Sequence, residues 1–247
     1  MESETETAIL DGVEGWIDFD RLPGLDEKNG LTYRSVNQVE QDKRQHILGV
    51  ALRHFADRGY AGTSVQDIVD DAKVAKPMLY YYFQNKAGLY QALIDSAHDE
   101  RYRVMTEAAA GERTLQRKLH AVLVAFFRFI KEHRELMRLA FATTFAAPGE
   151  LPPELSYKDK CVRGFEFFRE LIQSAQESGE ISDEFDSVEI TMAWYGQMNS
   201  YMMGQLFRPE ISYDERTAQA AVDLFFQGAS ARRKRKGAGA LQTGAHR

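Results

Sequence analysis

The chain has 247 residues, of which 44% are hydrophobic, and a formal net charge of −6. This length accommodates one or two domains with a sizeable core. No apolar run is long enough to span a bilayer, and the acidic start lacks the basic and apolar regions of a signal peptide. Cys161 is the one cysteine, so no intrachain disulfide is possible. We therefore expect a cytoplasmic protein without a membrane association.

The charge is unevenly distributed between the two ends of the chain. Residues 1–40 carry ten acidic side chains against three basic ones, whereas residues 231–247 carry six basic side chains and no acidic one. We interpret residues 1–40 as an acidic, partly disordered N-terminal extension and residues 231–247 as a basic disordered tail. Two roles stay open for each end. The extension is either a solvated segment or a surface that contacts a partner through an apolar cluster around Trp16. The tail is either a solvated end or a segment that attracts DNA phosphates.

Residues 41–60 have the pattern of an amphipathic helix that ends at Gly59. Lys43 and Arg44 lie at its start. His46 and His54 have no acidic or cysteine partner at ligand spacing, so we predict no metal site.

The stretch from Thr63 to Lys86 is typical of two short helices joined by a tight turn. Thr63 and Gln66 have the spacing of a capping box, and apolar residues then recur at helical spacing up to Ala72. Pro77 suits a first helical turn, so the second helix is predicted from Pro77 to Phe83.

The second helix has an anchored side and an exposed side. Leu79 and Phe83 face the same way, whereas Tyr81 points outward. So short a helix, with an exposed Lys76–Pro77–Tyr81 surface, suits insertion into a DNA major groove.

These residues carry a resemblance to a known family. The run VAKPMLYYYFQNKAGLYQALI, residues 74–94, resembles the recognition-helix signature of the tetracycline-repressor (TetR) family. The run ILGVALRHFADRGYAGTSVQDI, residues 47–68, is similar to that family's first two helices and the turn between them. One departure is Lys73-Val74-Ala75, where the family usually has Gly-Val-Ser. A non-glycine residue in a left-handed turn costs about 1 kcal/mol, and Ala75 cannot cap with an oxygen.

The resemblance implies an all-α fold. An N-terminal three-helix helix-turn-helix DNA-binding domain, residues 41–86, is followed by a larger helical effector-binding and dimerisation domain, residues 87–230. The last two helices are expected to pair with their symmetry mates as a four-helix bundle, and a purely intramolecular core is the alternative. The residues predicted for this face are small or aromatic for the most part, namely Ala193, Gly196, Met198, Tyr201, Gly204, Ala218, Ala221, Val222, Leu224 and Phe225. Asn85, Asp183 and Asp214 are the expected caps. Helices are predicted over residues 86–111, 115–133, 136–146, 155–178, 188–207 and 216–230.

The helix-turn-helix pattern gives a set of predicted DNA contacts. Lys76 and Tyr81 are the candidates for base reading, with Pro77 in apolar groove contact. Gln66 reads a base edge or completes the capping box. Backbone contacts, chiefly to phosphates, are predicted for the rest of the set, namely Lys43, Arg44, Thr63, Ser64, Tyr80, Tyr82 and Lys86.

Aromatic and methionine side chains are abundant in residues 87–230. Such residues form either a core or the wall of an effector pocket. The candidates for ligand binding are Phe126, Phe127, Phe141, Phe165, Trp194, Met198 and Tyr201.

Together these patterns predict a ligand-responsive transcriptional regulator. It is expected to bind a palindromic double-stranded DNA operator as a homodimer, to act as a repressor and to be released by a small apolar or aromatic effector. The alternative is a helical protein-interaction or transcription-activating protein with lost or altered operator binding. No catalytic motif, phosphate loop or metal spacing occurs, so we expect neither an enzyme nor a cofactor.

Overall fold

The computed structural model describes residues 33–208 and 210–229. Within these ranges the chain forms helices and no strands, which confirms the all-α prediction. The acidic residues 1–32, with the cluster around Trp16, and the tail 231–247 lie outside the described residues. In chain order the helices are α1 (Tyr33–Arg58), α2 (Val65–Ala72), α3 (Lys76–Phe83), α4 (Lys86–Ala110), α5 (Leu115–Glu132), α6 (Arg134–Thr144), α7 (Lys158–Glu177), α8 (Ser187–Phe207) and α9 (Glu215–Ala229).

The chain divides between Arg44 and Gln45 into two units. Of the first unit, the structure describes only the start of α1, which begins at Tyr33 rather than near residue 41. The reason is that residues 33–40, YRSVNQVE, contain neither glycine nor proline, so nothing in them ends the helix. The predicted boundary between extension and DNA-binding domain at residue 40 stays a prediction.

Two of the three predicted caps are confirmed. The Asn85 carboxamide oxygen accepts a hydrogen bond from the Gly88 amide at 2.8 Å and starts α4. The Asp214 carboxylate accepts from both the amide and the hydroxyl of Thr217 at 2.9 Å and starts α9. Each short polar side chain satisfies a donor that the first helical turn leaves unpaired.

The third predicted cap is wrong. Helix α8 is capped by Asp186, not by Asp183, and the Asp186 carboxylate accepts from the Val188 amide at 2.7 Å. Glu189 completes a capping box by accepting from the Asp186 amide at 3.1 Å. The second member of the box decides between the two aspartates, because Asp186 has a glutamate three residues later whereas Asp183 is followed there by Asp186 itself.

The second unit contains two hydrophobic clusters. The first lies in what we call the head, residues 45–85, and includes the start of α4 and Leu139 of α6. Its buried members on α1, α2 and α3 include Ile47, Ala51, Phe55, Ile68, Val69, Leu79 and Phe83.

The second cluster lies in what we call the body, residues 86–229. It is formed mainly by α4, α5, α7, α8 and α9, with α4 packed on α5, α7 on α8, and α5 on α9. Its largest fully buried side chains include Trp194, Phe126 and Phe168. Burying such rings contributes much of the body's stability. Among the described helices, none has the length and apolar character of a membrane span.

Candidate nucleic-acid interface

Helix α2 is held against the head by its apolar face. Ile68, Val69 and Ala72 are buried, as their helical spacing predicts. Its N-cap is Ser64, whose hydroxyl oxygen accepts from the Asp67 amide at 3.0 Å. The Ser64 hydroxyl hydrogen is still available to donate to a phosphate, so its predicted contact is compatible with the structure.

The capping box predicted for Thr63 and Gln66 is wrong. Thr63 is 2% exposed, and its hydroxyl lies 3.0 Å from the His54 carbonyl oxygen and 2.8 Å from the Gly59 carbonyl oxygen. Thr63 therefore fixes the end of α1 and has no exposed donor for a phosphate. Gln66 is exposed and donates to Asp70 at 2.8 Å, which leaves its role in base reading as a prediction.

The turn between α2 and α3 has the left-handed residue that the sequence predicts. Lys73 has φ 54° and ψ 41°, and its amide donates to the carbonyl oxygens at the end of α2. Ala75 occupies the N-cap of α3 without a side-chain hydrogen bond, as expected. Lysine in place of glycine costs stability here, and the Lys73 side chain is exposed beside the helix that follows.

Helix α3 presents an anchored side and an exposed side. Leu79 and Phe83 are buried, whereas Tyr81 is 71% exposed and Tyr80 41% exposed. Lys76 and Pro77 begin the helix and are exposed, so the predicted reading surface is formed. The helix starts at Lys76, one residue before its predicted start.

Two further members of the predicted set are partly buried beside this surface. The Tyr82 ring lies edge-on to Tyr81, with centroids 5.1 Å apart. Lys86 Nζ lies 4.3 Å from the centroid of the Tyr60 ring, a cation–π contact between α4 and the turn after α1. Burial lowers the pKa of Lys86 from its usual value. Lys86 thus has a structural contact in addition to its predicted phosphate contact.

Lys43 and Arg44 lie on the part of α1 that belongs to the first unit. Lys43 is exposed and Arg44 is half-buried. Their predicted DNA contacts stay predictions.

The segment that forms α2, the turn and α3 is similar to segments of known proteins. The family model described as "Bacterial regulatory proteins, tetR family" matches residues 47–93, which include α2, α3 and the turn between them. The chain belongs to this family. FasR, an HTH-type transcriptional activator of Mycolicibacterium smegmatis, is 29% identical over 123 residues, 49% of this chain and 56% of FasR. The alignment thus spans about half the length of that relative.

Two further comparisons extend into the body of this TetR-family protein. AcrR, an HTH-type transcriptional regulator of Shigella flexneri, is 23% identical over 194 residues, 73% of this chain and 86% of AcrR. The solved structure of FadR from Bacillus subtilis, in complex with stearoyl-CoA, has a TM-score of 0.62 and 20% identity, and covers 74% of this chain and 98% of FadR. The structural similarity shows that the two proteins share a fold.

Two histidines of this TetR-family protein connect α1 to α2. His54 Nε2 lies 2.7 Å from Asp71 Oδ2, and His46 Nε2 lies 3.1 Å from the Ala72 carbonyl oxygen. These contacts could not be predicted from local sequence patterns, because they join positions 17 and 26 residues apart. They help to fix the angle at which α2, and therefore α3, leaves α1.

The link from α3 to α4 is a tight turn that sequence reasoning missed. Gln84 has φ 63° and ψ −48°, and the Asn85 amide donates to the Phe83 carbonyl oxygen at 2.6 Å. This is a γ-turn with a positive φ, a rare and strained conformation for a residue other than glycine. The TetR-family head therefore joins its body through two residues in fixed conformations.

The predicted ligand-binding residues are mostly core residues. Phe126, Phe127, Trp194 and Met198 are buried in the body cluster, and Tyr201 packs against it. Phe165 is half-buried and lies edge-on to Tyr195, with centroids 5.8 Å apart. Core and pocket wall share one hydrophobic pattern, so the ligand contacts of these residues stay predictions.

Phe141 is different, since it lines a cavity of about 600 Å³. The wall of this cavity comes from the end of α1 and the turn after it, from Tyr90 of α4, from α6 and from the end of α8. The volume lies in the range of small-molecule sites. A ligand here would touch both the head, at Tyr60, and the body.

Proposed function

We propose that this protein is a transcription regulator that binds an operator in double-stranded DNA through α3. The observation that carries the proposal is the division of α3 into buried Leu79 and Phe83 and exposed Lys76, Pro77 and Tyr81. A short helix anchored by two residues can enter a major groove with its N-terminal end on the base edges. The named relatives are transcription regulators, which supports the same function.

We infer that the partner in DNA binding is a second copy of the chain. Helix α8 carries large apolar side chains that are 42–66% exposed, at positions Val188, Met192, Met203 and Phe207. Leu224 of α9 is also 62% exposed. Two such faces pairing about a two-fold axis would bury this surface and present two α3 helices to two half-sites.

The residues of this dimer face differ in part from those predicted. Ala193 and Gly196 are exposed on α8, as expected for close helix contact. Met198, Ala218, Ala221 and Val222, however, are buried within the single chain, because α8 and α9 pack on the body core through them. The predicted face was therefore a mixture of interior and surface positions.

The regulator is proposed to respond to a small molecule bound in the body. FadR is a relative in fold whose structure contains stearoyl-CoA. In this chain, an effector that binds better to one orientation of the heads would shift the population away from the DNA-competent dimer. Release of a repressor is the simplest outcome, whereas the role of FasR as an activator favours activation as the second candidate.

A mobility-shift experiment tests the proposed function. The purified full chain is titrated onto DNA fragments from upstream of its own coding region, with random DNA of the same length as competitor. We expect a salt-sensitive shift that prefers one fragment and survives the competitor. Equal affinity for all fragments, or no shift at low salt, would instead support the interaction-protein alternative.

A transcription assay on the preferred fragment then separates the two regulatory signs. Addition of the protein lowers transcript yield for a repressor and raises it for an activator. The cytoplasmic location and the absence of catalysis and cofactors stay predictions.

A further inference from the structure

The body contains a buried arginine without an acidic partner. Arg101 lies in the middle of α4 and is only 8% exposed. Its Nε is shut off from solvent and has no acceptor among the described residues. One hydrogen-bond contact is found for its side chain in the described part of the molecule, a long one of 3.5 Å from Nη2 to His98 Nδ1. A guanidinium has five N–H donors, so most of its capacity is unused.

The His98 ring does not balance the charge of Arg101. His98 is itself buried, and the pKa of its imidazole falls to about 4, first because of desolvation and then because of the Arg101 charge. At neutral pH the ring is therefore uncharged, and its Nδ1 accepts from the guanidinium. The other ring nitrogen faces Cys161 Sγ at 4.0 Å, and burial raises the pKa of that thiol. His98 and Cys161 are thus both neutral neighbours.

The two α4 carboxylates that act on His98, those of Asp95 and Asp99, are held by other cations. Lys160 Nζ lies 3.1 Å from Asp95 Oδ1 and 2.7 Å from Asp99 Oδ2. Arg163 Nη2 lies 2.7 Å from Asp99 Oδ1. Among the described residues, none brings a carboxylate oxygen within 4.0 Å of Arg101.

This group of side chains therefore has an excess of positive charge. Around His98, Lys160 pairs with Asp95 and Asp99, Arg163 pairs with Asp99, and Arg101 is a further cation that pairs with neither carboxylate. The cation that remains unpaired is the buried one. A buried charge without a partner is strongly destabilising, and an arginine does not lose its proton to avoid the penalty.

A second donor and an aromatic wall lie next to the guanidinium. The point where a Cβ on Gly164 would lie is 3.2 Å from Arg101 Nη2 and 3.7 Å from the Tyr195 hydroxyl oxygen. Glycine at this position of α7 thus lets the guanidinium and the Tyr195 hydroxyl approach the helix backbone side by side. The Tyr195 ring contacts Phe165 and Phe168 edge-on, so the surroundings of the two polar groups are apolar.

We propose that Arg101 binds the anionic group of an organic effector whose apolar body lies between α4, α7 and α8, at a site separate from the cavity that Phe141 lines. Arg101 pairs with a carboxylate or similar anionic group, and the Tyr195 hydroxyl donates a second hydrogen bond to it. The apolar body lies against the rings around Phe165. The proposal rests on the proposed function only in treating this anion as the effector.

Matched pairs of ligands test the need for a negative charge. The full-length protein is titrated by calorimetry with naphthoate and octanoate and with their neutral amides, naphthamide and octanamide. We expect each anion to bind at least about tenfold more tightly than its amide, the ratio that a hydrogen bond to a charged group supplies. Inorganic phosphate forms a separate arm. Binding of phosphate as tight as that of naphthoate would show a site for small free anions and would overturn the organic ligand class.

Variants then assign the anion preference to Arg101. In Arg101→Met the preference for anion over amide should disappear, and Arg101→Lys should retain part of it because the charge remains. Arg103→Met is the matched control, since Arg103 lies two residues away on α4, is exposed and is paired with Glu100 and Glu107. It should bind like the wild type. Loss of the preference in Arg103→Met, or its persistence in Arg101→Met, would overturn the assignment.

Melting temperatures without ligand give an independent readout. If Arg101 has no partner in the free protein, Arg101→Met removes an unpaired buried charge and should melt at or above the wild-type temperature. A clear loss of stability would show that the protein itself supplies the counter-charge, which contradicts the proposal.

Protein that prefers anions but binds no DNA would overturn the proposed function alone. Protein that binds its operator but shows no anion preference for any of the probes would overturn the anion site alone.

Discussion

The head and the body of this TetR-family protein differ in how much of their function is visible in the sequence. In the head, the anchors and the exposed residues of α3 lie where their spacing predicts. In the body, most aromatic residues chosen as ligand contacts are core, and the distinctive group is Arg101, one arginine among many in the chain. The DNA-facing side of α3 depends on the order of residues within one short helix, which the sequence displays directly. A site inside the body depends instead on which side chain remains unpaired after folding.

The comparison can be tested first at Trp194, which is 0% exposed. If it is core, Trp194→Ala removes a fully buried ring and should lower the free energy of unfolding by about 3–5 kcal/mol. Urea unfolding followed by circular dichroism measures the loss. Phe145→Ala, at an aromatic residue that is 71% exposed at the end of α6, serves as the control and should change the free energy of unfolding little. A loss at Trp194 as small as that at Phe145 would support a place for Trp194 in the ligand wall.

The buried environment around Arg101 predicts a dependence of stability on pH. The pKa of His98 is about 4 in the folded chain and 6.5 as its ordinary value, so the unfolded chain binds more protons between these values. The stability is then complete above pH 6.5 and is lost as pH falls towards 4, by at most about 1.4 kcal/mol per pH unit. The difference between wild type and His98→Gln in urea unfolding isolates this contribution. Parallel pH profiles for the two proteins would contradict it.

The reading surface of the head predicts a sequence-selective defect. Tyr81→Ala should weaken binding to the preferred operator by about 1–3 kcal/mol, while affinity for random DNA changes little, because base contacts carry the sequence information. Mobility shifts on both DNAs measure the two affinities. Phe145→Ala is the control, since Phe145 is as exposed as Tyr81 but lies at the end of α6. Equal losses on both DNAs would remove Tyr81 from the base-reading set.

A phosphate contact predicts a smaller and less selective effect. Lys86→Ala should weaken binding to all DNA sequences alike and should reduce the salt slope by about one unit per contact. Because Lys86 also lies over the Tyr60 ring, the melting temperature of the variant is needed to correct for lost packing. An unchanged salt slope would leave Lys86 with the structural contact alone.

How far the sequence predicted the fold depended on whether the signal was local. Helix ends such as Phe83 and Phe207 were predicted correctly, because periodicity and turn residues lie within one or two helical turns. The left-handed conformation of Lys73 was expected from the family resemblance, since glycine is usual at that position. The prediction that Thr63 is the N-cap of α2 was wrong. A threonine followed by a serine offers two candidates for the N-cap, and the tertiary contact of Thr63 with His54 leaves Ser64 as the cap.

The candidate sites were likewise predictable only where the signal was local. The exposed side of α3 could be predicted, since eight residues of one helix determine it. Arg101 could not, because its burial depends on packing against Gly164 of α7 and Tyr195 of α8, which are more than sixty positions away in the sequence. The γ-turn at Gln84 also escaped prediction, since glutamine has no preference for that conformation.

The turn at Gln84 has a mechanical consequence. Between the end of α3 at Phe83 and the start of α4 at Lys86 there are two residues, and both are tied by hydrogen bonds within the turn and the first turn of α4. A linker this short cannot absorb a rotation of α4 by changing its own conformation. A tilt of α4 by a few degrees would therefore be transmitted to α3 and would displace its exposed side.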